Sequence, residues 1–248
     1  MDMIRISFII PAYNEEHYLG DCLRSVREEI EAARADAEVI VVDNASTDKT
    51  AELANASPGV RVVHEPKKGL VQARSAGYQV STGELIANID ADNILPHGWL
   101  GTVLGEFDRD PDMVGLSGPV IYYDLPRVSR MLVRGWYGLA HGAHTVTTSL
   151  GVGGVLQGGN FVVRRSALEA IGGYNMNLQF YGEDTDIARR MSRVGKVKFT
   201  NLLPIYTSGR RIKNEGLAVS AFKYALNYFS VIMFDRVATK KYQDIRLK

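Results

Sequence analysis

The chain has 248 residues, 46% of them apolar and 23% charged, and a formal net charge of +1 at pH 7. This length allows one large core or two closely packed halves, and the composition excludes a disordered chain and a general nucleic-acid binder. Cys22 is the only cysteine, so an internal disulfide and a cysteine zinc site are excluded, and its helical spacing indicates a packed thiol. The N-terminus lacks the features of a secretory signal, from which we expect a cytosolic protein.

The first 90 residues alternate between apolar segments and amphipathic segments. We predict strands at 4–10, 39–42, 60–63 and 84–89. We predict helices from about Glu15 with Asn14 as the cap, from Ser46 or Thr47, and from Gly69 to Val80. Strands that alternate with helices indicate a largely parallel α/β sheet, whose ligands bind beyond the carboxyl ends of the strands.

The pattern becomes looser from about Pro111. We predict strands at 114–122, 160–163 and 197–203, a short helix capped by Ser166, a turn at 172–174 and a helix that opens at 182–186. An amphipathic stretch starts at Arg127, and a glycine-rich passage precedes Asn160. The first predicted strand is followed by neither a Gly-x-Gly-x-x-Gly nor a Gly-Lys-Ser/Thr loop, which argues against a dehydrogenase and an ATPase.

Asp90 and Asp92 follow the predicted strand at 84–89 and are two residues apart. In an extended chain both carboxylates lie on one face, where they repel one another. A divalent cation such as Mg2+ or Mn2+ removes this repulsion, prefers oxygen ligands and brings phosphates with it. The same spacing also arises by chance on solvated turns, but the position at a strand end, shared with Asp43, favours a metal site.

Four motifs, in this order, resemble those of the family 2 glycosyltransferases, which have the GT-A fold. They are Phe-Ile-Ile-Pro-Ala-Tyr-Asn-Glu at 8–15, Val-Val-Asp-Asn-Ala-Ser-Thr-Asp at 41–48, Asp-Ala-Asp at 90–92 and Gly-Glu-Asp at 182–184. The resemblance covers about residues 4–200 and implies an α/β fold with a mostly parallel sheet flanked by helices. It also implies transfer of a sugar from a nucleoside diphosphate to an acceptor hydroxyl, with inversion at the anomeric carbon.

The resemblance divides the chain into functional parts. We expect a nucleotide-sugar-binding half at 1–110, an acceptor-binding half of the same domain at 111–205, and a basic, amphipathic C-terminal segment at 206–248. By the family pattern Asp92 is the direct ligand of Mn2+ or Mg2+, and Asp90 contacts the ribose or reaches the metal through water. Asp43 resembles the aspartate that contacts a uracil or guanine base, although it could instead cap the helix near Ser46.

Further residues of the donor site follow from the same pattern. The base and ribose would be walled by Pro11, Ala12, Tyr13 and Glu15, with ordinary packing as the alternative for Tyr13. Arg74 matches a basic residue near the base or phosphate, and Lys68 is a weaker candidate; a solvated helix face is the alternative for both. Arg210 and Arg211 stand where many relatives have a histidine ligand or another phosphate-binding group. We expect Arg210 or Arg211 to clamp the diphosphate, with solvated arginines beside a strand end as the alternative, and the third metal ligand stays open.

Asp184 corresponds to the aspartate of the family's Glu-Asp motif and is the predicted base for the acceptor hydroxyl. We expect the positive end of its helix to lower its pKa. Glu183 and Asp186 are the candidates for helix capping. The pocket where acceptor and donor sugar meet would be lined by Gly158, Gly159, Asn160 and Glu183, although the glycines could mark only a tight turn.

The C-terminal segment from Tyr206 has nine basic and three acidic residues, and its apolar run at 224–234 is too short to span a bilayer. We predict that it lies on an anionic membrane surface at the cytoplasmic face; core packing and a homodimer interface are the alternatives. The similar stretch at 131–137 would admit a lipid-linked acceptor or cap the acceptor cleft. The expected partners are therefore a nucleoside-diphosphate sugar and an acceptor saccharide or lipid-linked acceptor, with no nucleic acid.

Two other functions rank lower. A sugar-nucleotide nucleotidyltransferase would begin with a glycine-rich, basic phosphate loop, which the residues at 11–14 do not form. A non-catalytic sugar-nucleotide-binding or membrane adaptor protein would be expected to lack the carboxylates at Asp90, Asp92 and Asp184. The retained carboxylates favour an enzyme.

Overall fold

The structure is a computed structural model that describes residues 4–133, 135, 138, 154–178 and 182–234. Its helices are α1 (Leu19–Ala33), α2 (Thr50–Ala56), α3 (Leu70–Val80), α4 (Trp99–Arg109), α5 (Arg165–Ala170), α6 (Glu183–Met191), α7 (Arg210–Glu215) and α8 (Leu217–Phe234). Its strands are β1 (Ile6–Ala12), β2 (Ala37–Asp43), β3 (Val60–His64), β4 (Leu85–Ile89), β5 (Asn93–Ile94), β6 (Met113–Ser117), β7 (Val120–Tyr122), β8 (Asn160–Arg164), β9 (Lys196–Phe199) and β10 (Ile205–Thr207). Residues 127–133 are helical as well.

Seven strands form the central sheet, in the order β3-β2-β1-β4-β8-β6-β9. Strand β8 runs antiparallel to its neighbours β4 and β6, whereas the other neighbouring pairs are parallel. A smaller sheet has the order β5-β10-β7. The predicted α/β class with a mostly parallel sheet is thereby confirmed, and the β4–β8 pair joins strands from before and after residue 110 in one sheet.

The inner strands β1, β4, β8 and β6 of the central sheet are buried on both faces, which explains why they are mostly apolar. Phe8 belongs to a core shared with α1 and α4, and its ring centroid lies 6.2 Å from that of Trp99. Ile9 points the other way, into a second core that includes Val71 of α3 and Ile187 of α6. With both faces covered, the carboxyl edge of the parallel strands is the part of the sheet that remains open to a ligand.

Three helices begin at residues other than those predicted. Helix α1 begins at Leu19, because the chain turns at Asn14, whose φ is 52° and whose side-chain oxygen accepts the N–H of Thr47 at 2.8 Å. Asn14 therefore does not cap α1. Helix α2 begins at Thr50, and α5 begins at Arg165, so that Ser166 lies inside its first turn.

Two predicted strands are each divided between the two sheets. Strand 114–122 breaks after Ser117, since a Cβ atom on Gly118 would lie 2.0 Å from the carbonyl oxygen of Leu203. Strand 197–203 ends at Phe199, and the chain enters the small sheet at Ile205.

Helix α4 is not among the predicted elements. Its first turn is capped from a distance, because the carboxylate of Glu29 in α1 accepts the N–H groups of Gly98 and Leu100, each at 2.9 Å. Such a cap, made across the fold, leaves no local signature at the start of the helix.

Candidate active site

The predicted site residues meet where β1, β2 and β4 end and β8 begins. Ala12 pairs with Asp43 across β1 and β2, and Ile89 pairs with Asn160 across β4 and β8. Asp90 follows Ile89 directly, so it lies beside Gly159, which precedes Asn160. The strand register alone therefore brings the two halves of the predicted site together.

Arg74 is fully buried behind this edge. Its Nη2 lies 3.0 Å from Asp90 Oδ1, its Nη1 donates to the carboxylate of Glu183, and its guanidinium lies 5.2 Å from the ring centroid of Phe161. This burial contradicts the alternative of a solvated helix face, and the role of Arg74 near the base or phosphate stays a prediction. Arg74 links the carboxylate after β4 to the first residue of α6.

A turn of two glycines separates Asp90 from Asp184. Gly159 has a φ of +74°, and a Cβ atom there would lie 2.4 Å from Asp90 Oδ2. The N–H of Gly158 donates to Asp184 Oδ2 at 3.1 Å. Asn93 also holds this turn, because its side-chain amide donates a hydrogen bond to the carbonyl oxygen of Gly159 at 2.6 Å.

Asp92 lies next to the C-terminal segment. Its Oδ2 is 3.1 Å from Arg210 Nη2, and its Oδ1 accepts the hydroxyl of Thr207 at 3.5 Å. Burial raises the pKa of Asp92 to about 7, because desolvation of the carboxylate outweighs the attraction of Arg210, and Glu15 and Asp90 add repulsion. The site thus contains buried negative charge that a cation would stabilise.

Glu15 is buried, and its Oε1 lies 2.6 Å from the same nitrogen atom of Arg210. The role of Glu15 in walling the base and ribose stays a prediction. In the structure its carboxylate faces the Asp92 side of the site. Arg210 also lies over the ring of Tyr18, 4.8 Å from its centroid, and is thereby held between three groups.

Asp43 lies at the far end of the edge, at the carboxyl end of β2. Its Oδ1 accepts the N–H of Ser46 at 3.1 Å, and its Oδ2 lies 2.9 Å from Nδ1 of His64. The hydrogen bond to Ser46 closes the loop before α2, which begins four residues later. His64 is absent from the predicted site, although its position at the end of the adjacent parallel strand is the signal that would have found it.

Tyr13 and Lys68 form the rim near Asp43. The Nζ of Lys68 lies 4.0 Å from the centroid of the Tyr13 ring, while Ala12 is buried and Pro11 half-buried beneath them. An aromatic ring and a lysine thus border the Asp43 end.

Asp184 occupies the first turn of α6. Its Oδ1 accepts the N–H of Thr185 at 2.8 Å, in addition to the bond from Gly158. The predicted lowering of its pKa is wrong: burial raises the pKa, and the two N–H groups and Arg74 offset this only in part. The carboxylate of Glu183 accepts a hydrogen bond from Arg74, and burial raises the pKa of Glu183 to about 7. Asp186 pairs with Arg190 at 2.8 Å.

Asn160 differs from its predicted place in an acceptor pocket. Its side chain is fully buried, accepts the indole N–H of Trp99 at 3.2 Å and donates to the carbonyl oxygens of Gly118 and Leu203. These bonds hold together the chain segments that cross between the two sheets. Asn160 therefore supports the site from the core and does not line it.

The two arginines of the C-terminal segment have different partners. Arg211 Nη1 lies 3.2 Å from Glu215, whereas Arg210 reaches into the site. Asp124, which the sequence analysis does not single out, anchors the segment by accepting bonds from the N–H of Gly209 and the hydroxyl of Ser208. The position of Arg210 is thus fixed by a contact between 124 and 208–209.

Within the described ranges, no group of three His, Cys, Asp or Glu side chains is arranged to hold a metal ion. The carboxylates of Asp90 and Asp92 nevertheless fit Mg2+ or Mn2+, since these ions keep several waters and bind through one or two carboxylates together with substrate phosphates. The buried charge of Asp92 supports this fit.

The described part of the chain contains no helix that is long and apolar enough to cross a membrane. The apolar run at 224–234 lies in α8, whose exposed apolar residues include Val219, Phe222 and Leu226. Val128, Met131 and Leu132 are exposed on the helix at 127–133. Of the predicted amphipathic parts, residues 134, 136, 137 and 235–248 lie outside the described residues.

Comparisons with known proteins agree on one family. The model of glycosyl transferase family 2 matches residues 7–172. Glycosyltransferase GlyG of Streptococcus pneumoniae is 32% identical over 115 residues, which are 44% of this chain and 37% of that protein. An undecaprenyl-phosphate 4-deoxy-4-formamido-L-arabinose transferase of Pseudomonas fluorescens is 31% identical over 116 residues, which are 44% of this chain and 34% of that protein. The matched regions thus span about a third of the length of these two relatives.

A solved structure covers nearly the whole chain. Mannosyltransferase PcManGT from Pyrobaculum calidifontis, in complex with GDP-Man and Mn2+, superposes with a TM-score of 0.73 at 20% sequence identity, over 95% of this chain and 66% of that chain. Since the family match spans well over half of the residues, the chain belongs to glycosyl transferase family 2 and has the GT-A fold.

Proposed function

We propose that the protein transfers a sugar from a UDP- or GDP-sugar to an acceptor hydroxyl, with inversion at the anomeric carbon, and that the reaction depends on Mn2+ or Mg2+. One observation carries the proposal. The candidate base Asp184 and the candidate metal carboxylate Asp90 contact consecutive residues, Gly158 and Gly159. A base and a leaving-group site that flank the same turn are what a displacement at one sugar carbon requires.

Asp184 acts as the base, accepting the proton of the acceptor hydroxyl as the new bond forms. Burial makes its carboxylate a stronger base than an exposed aspartate, and Arg74 and the two N–H groups keep it ionised. Glycine at 158 matters here, since a Cβ atom would lie 3.2 Å from Asp184 Oδ2. The short turn lets the carboxylate lie close to the reacting centre.

The donor lies along the strand ends. Asp43 accepts a hydrogen bond from the base, and Tyr13 and Lys68 cover the base and ribose. Asp90 and Asp92 would hold the metal, which would supply positive charge for the leaving diphosphate. Arg210, and Arg211 after a change of partner, supply positive charge for the same phosphates.

The acceptor is the least constrained part of the proposal. The relative from Pseudomonas fluorescens is named for an undecaprenyl-phosphate substrate, and the exposed apolar faces of 127–133 and α8 favour a lipid-linked acceptor at a membrane surface over a soluble saccharide. Asp124 and Leu125, which precede the helix at 127–133, contact Gly209 beside Arg210, so this apolar helix starts next to the site.

Incubation with a panel of UDP- and GDP-sugars, with and without Mn2+, tests the proposal through release of free nucleoside diphosphate. We expect one or a few donors to bind in a metal-dependent way and to be turned over when the acceptor is supplied. Binding by isothermal titration separates a missing acceptor from a missing donor site. If no donor in the panel bound with Mn2+ present, the proposal would be wrong.

Gly159→Ala is expected to impair metal-dependent donor binding, because the added methyl group displaces Asp90. Gly172→Ala is the matched control: its φ of +76° gives the same backbone strain, but no atom lies within 4 Å of the added Cβ. Each variant should lose roughly 1 kcal/mol of folding free energy from the strain. Urea denaturation measures this loss, and isothermal titration with donor and Mn2+ should show weaker binding in Gly159→Ala alone. Equal donor affinity in the two variants would contradict the role of the close approach.

A further inference from the structure

Arg210 lies between the carboxylates of Asp92 and Glu15. Its Nη2 lies 3.1 Å from Asp92 Oδ2 and 2.6 Å from Glu15 Oε1, so one nitrogen atom bridges the partly buried carboxylate of Asp92 and the buried carboxylate of Glu15. A divalent ion bound by Asp92 needs that oxygen at about 2 Å, which is too close for the guanidinium to remain on it. The arginine and the metal are therefore alternative occupants of Asp92.

We infer that Arg210 is an internal counter-ion that the metal displaces, and that Glu15 is the second acidic side of the cation pocket. This inference rests on the proposed metal-dependent function. In the absence of metal, Arg210 neutralises both carboxylates; when metal and donor bind, its side chain leaves Asp92 and its charge turns to the diphosphate. Glu15 then adds negative charge to the pocket that holds the ion.

The contacts around Arg210 hold its backbone in place and leave its side chain able to move. The backbone at 208–209 is held by Asp124, whose carboxylate accepts the N–H of Gly209 and the hydroxyl of Ser208, and Lys213 binds the same carboxylate at 2.8 Å. The guanidinium, by contrast, contacts side chains alone within the described residues: it donates a hydrogen bond to Glu15, pairs with Asp92 and lies over the ring of Tyr18. Release from Asp92 thus leaves the arginine beside the site, where phosphate oxygens are available to it.

Arg210→Gln separates this inference from a purely structural role. Without nucleotide, the variant should bind Mn2+ roughly threefold or more tightly than the wild type, because the competing cation is gone. With UDP or GDP present, the same variant should bind the metal-nucleotide more weakly, because an arginine for the diphosphate is lost. Both affinities are measured by isothermal titration. The pKa of Asp92 is raised to about 7, so the titrations are done at a pH well above that value. Lys213→Gln removes one charge from the same helix and should leave both affinities within about twofold of the wild type.

The role of Glu15 is tested in the Arg210→Gln background, where no arginine competes. Adding Glu15→Gln there should weaken Mn2+ binding several-fold relative to Arg210→Gln alone. These Mn2+ titrations use no donor sugar, so they succeed or fail independently of any sugar transfer. Unchanged or weaker Mn2+ binding in Arg210→Gln, or an unaltered affinity on adding Glu15→Gln, would overturn the inference.

Discussion

Asp184→Asn is expected to retain donor binding and to lose sugar transfer, with kcat lower by about 10²- to 10⁴-fold, the usual contribution of a general base. Asparagine keeps the size of the side chain. Its one carbonyl oxygen can still accept the N–H of Gly158, at the loss of the bond from the N–H of Thr185, so the glycine turn should keep its shape. The amide cannot take the proton of the acceptor hydroxyl. Turnover is measured as release of nucleoside diphosphate, and donor affinity by titration.

Asp186→Asn is the matched control, because Asp186 lies in the same turn of α6 and pairs with Arg190. It should leave transfer close to the wild-type rate. If Asp184→Asn transferred sugar normally, the assignment of the base would be wrong; if both variants lost activity to the same extent, disruption of α6 would explain the loss.

The pH dependence of transfer gives an independent check on Asp184. A base must be ionised to act, and burial raises the pKa of Asp184 above the usual value of 3.8. The rate should therefore be full above the raised pKa and should fall as the pH drops through it. The acidic limb of the kcat profile should thus lie at higher pH than for an exposed aspartate, and a limb near pH 4 would contradict the structure.

The central sheet was predictable because its signals are local. Strands β1, β2 and β4 are mostly apolar, and α3 begins one residue after its predicted start and ends where predicted. The misplaced features depend on contacts between distant residues: α4 is capped by Glu29, and the strand at 114–122 is broken where Gly118 meets the carbonyl of Leu203. A sequence pattern does not report which distant group supplies a cap or forces a turn.

The candidate site divides in the same way. Asp43 and Asp90 are predicted from their places at strand ends, where ligands bind in this kind of sheet, whereas Asp184 is predicted from its match to the family's Glu-Asp motif. The burial of Arg74 was not predictable, because a basic residue on a helix usually faces solvent, and its two carboxylate partners lie 16 and 109 residues away in the chain. Glu15 and Arg210 meet across 195 residues, and this pairing likewise has no local signature.

Asp92→Asn is expected to lose metal-dependent donor binding, by at least about 100-fold in affinity, since the proposed direct metal ligand is replaced by a neutral amide. The same change should not harm the fold. The pKa of Asp92 is raised from 3.8 to about 7, so ionising it costs folding free energy at any pH above 3.8, and this cost grows until the pH reaches about 7. A neutral asparagine escapes that cost, and Arg210 keeps Glu15 as a partner.

The expected pattern for Asp92→Asn at neutral pH is therefore a melting temperature equal to or above that of the wild type, together with loss of the donor. Asp21→Asn removes a surface carboxylate that pairs with Arg24 and controls for the change in net charge; it should alter neither quantity. Calorimetry gives the melting temperature, and titration with donor and Mn2+ gives the affinity. A destabilised variant that still bound donor with metal would show that Asp92 serves the fold, whereas stability gained as binding is lost identifies a carboxylate that the protein keeps buried for its ligand.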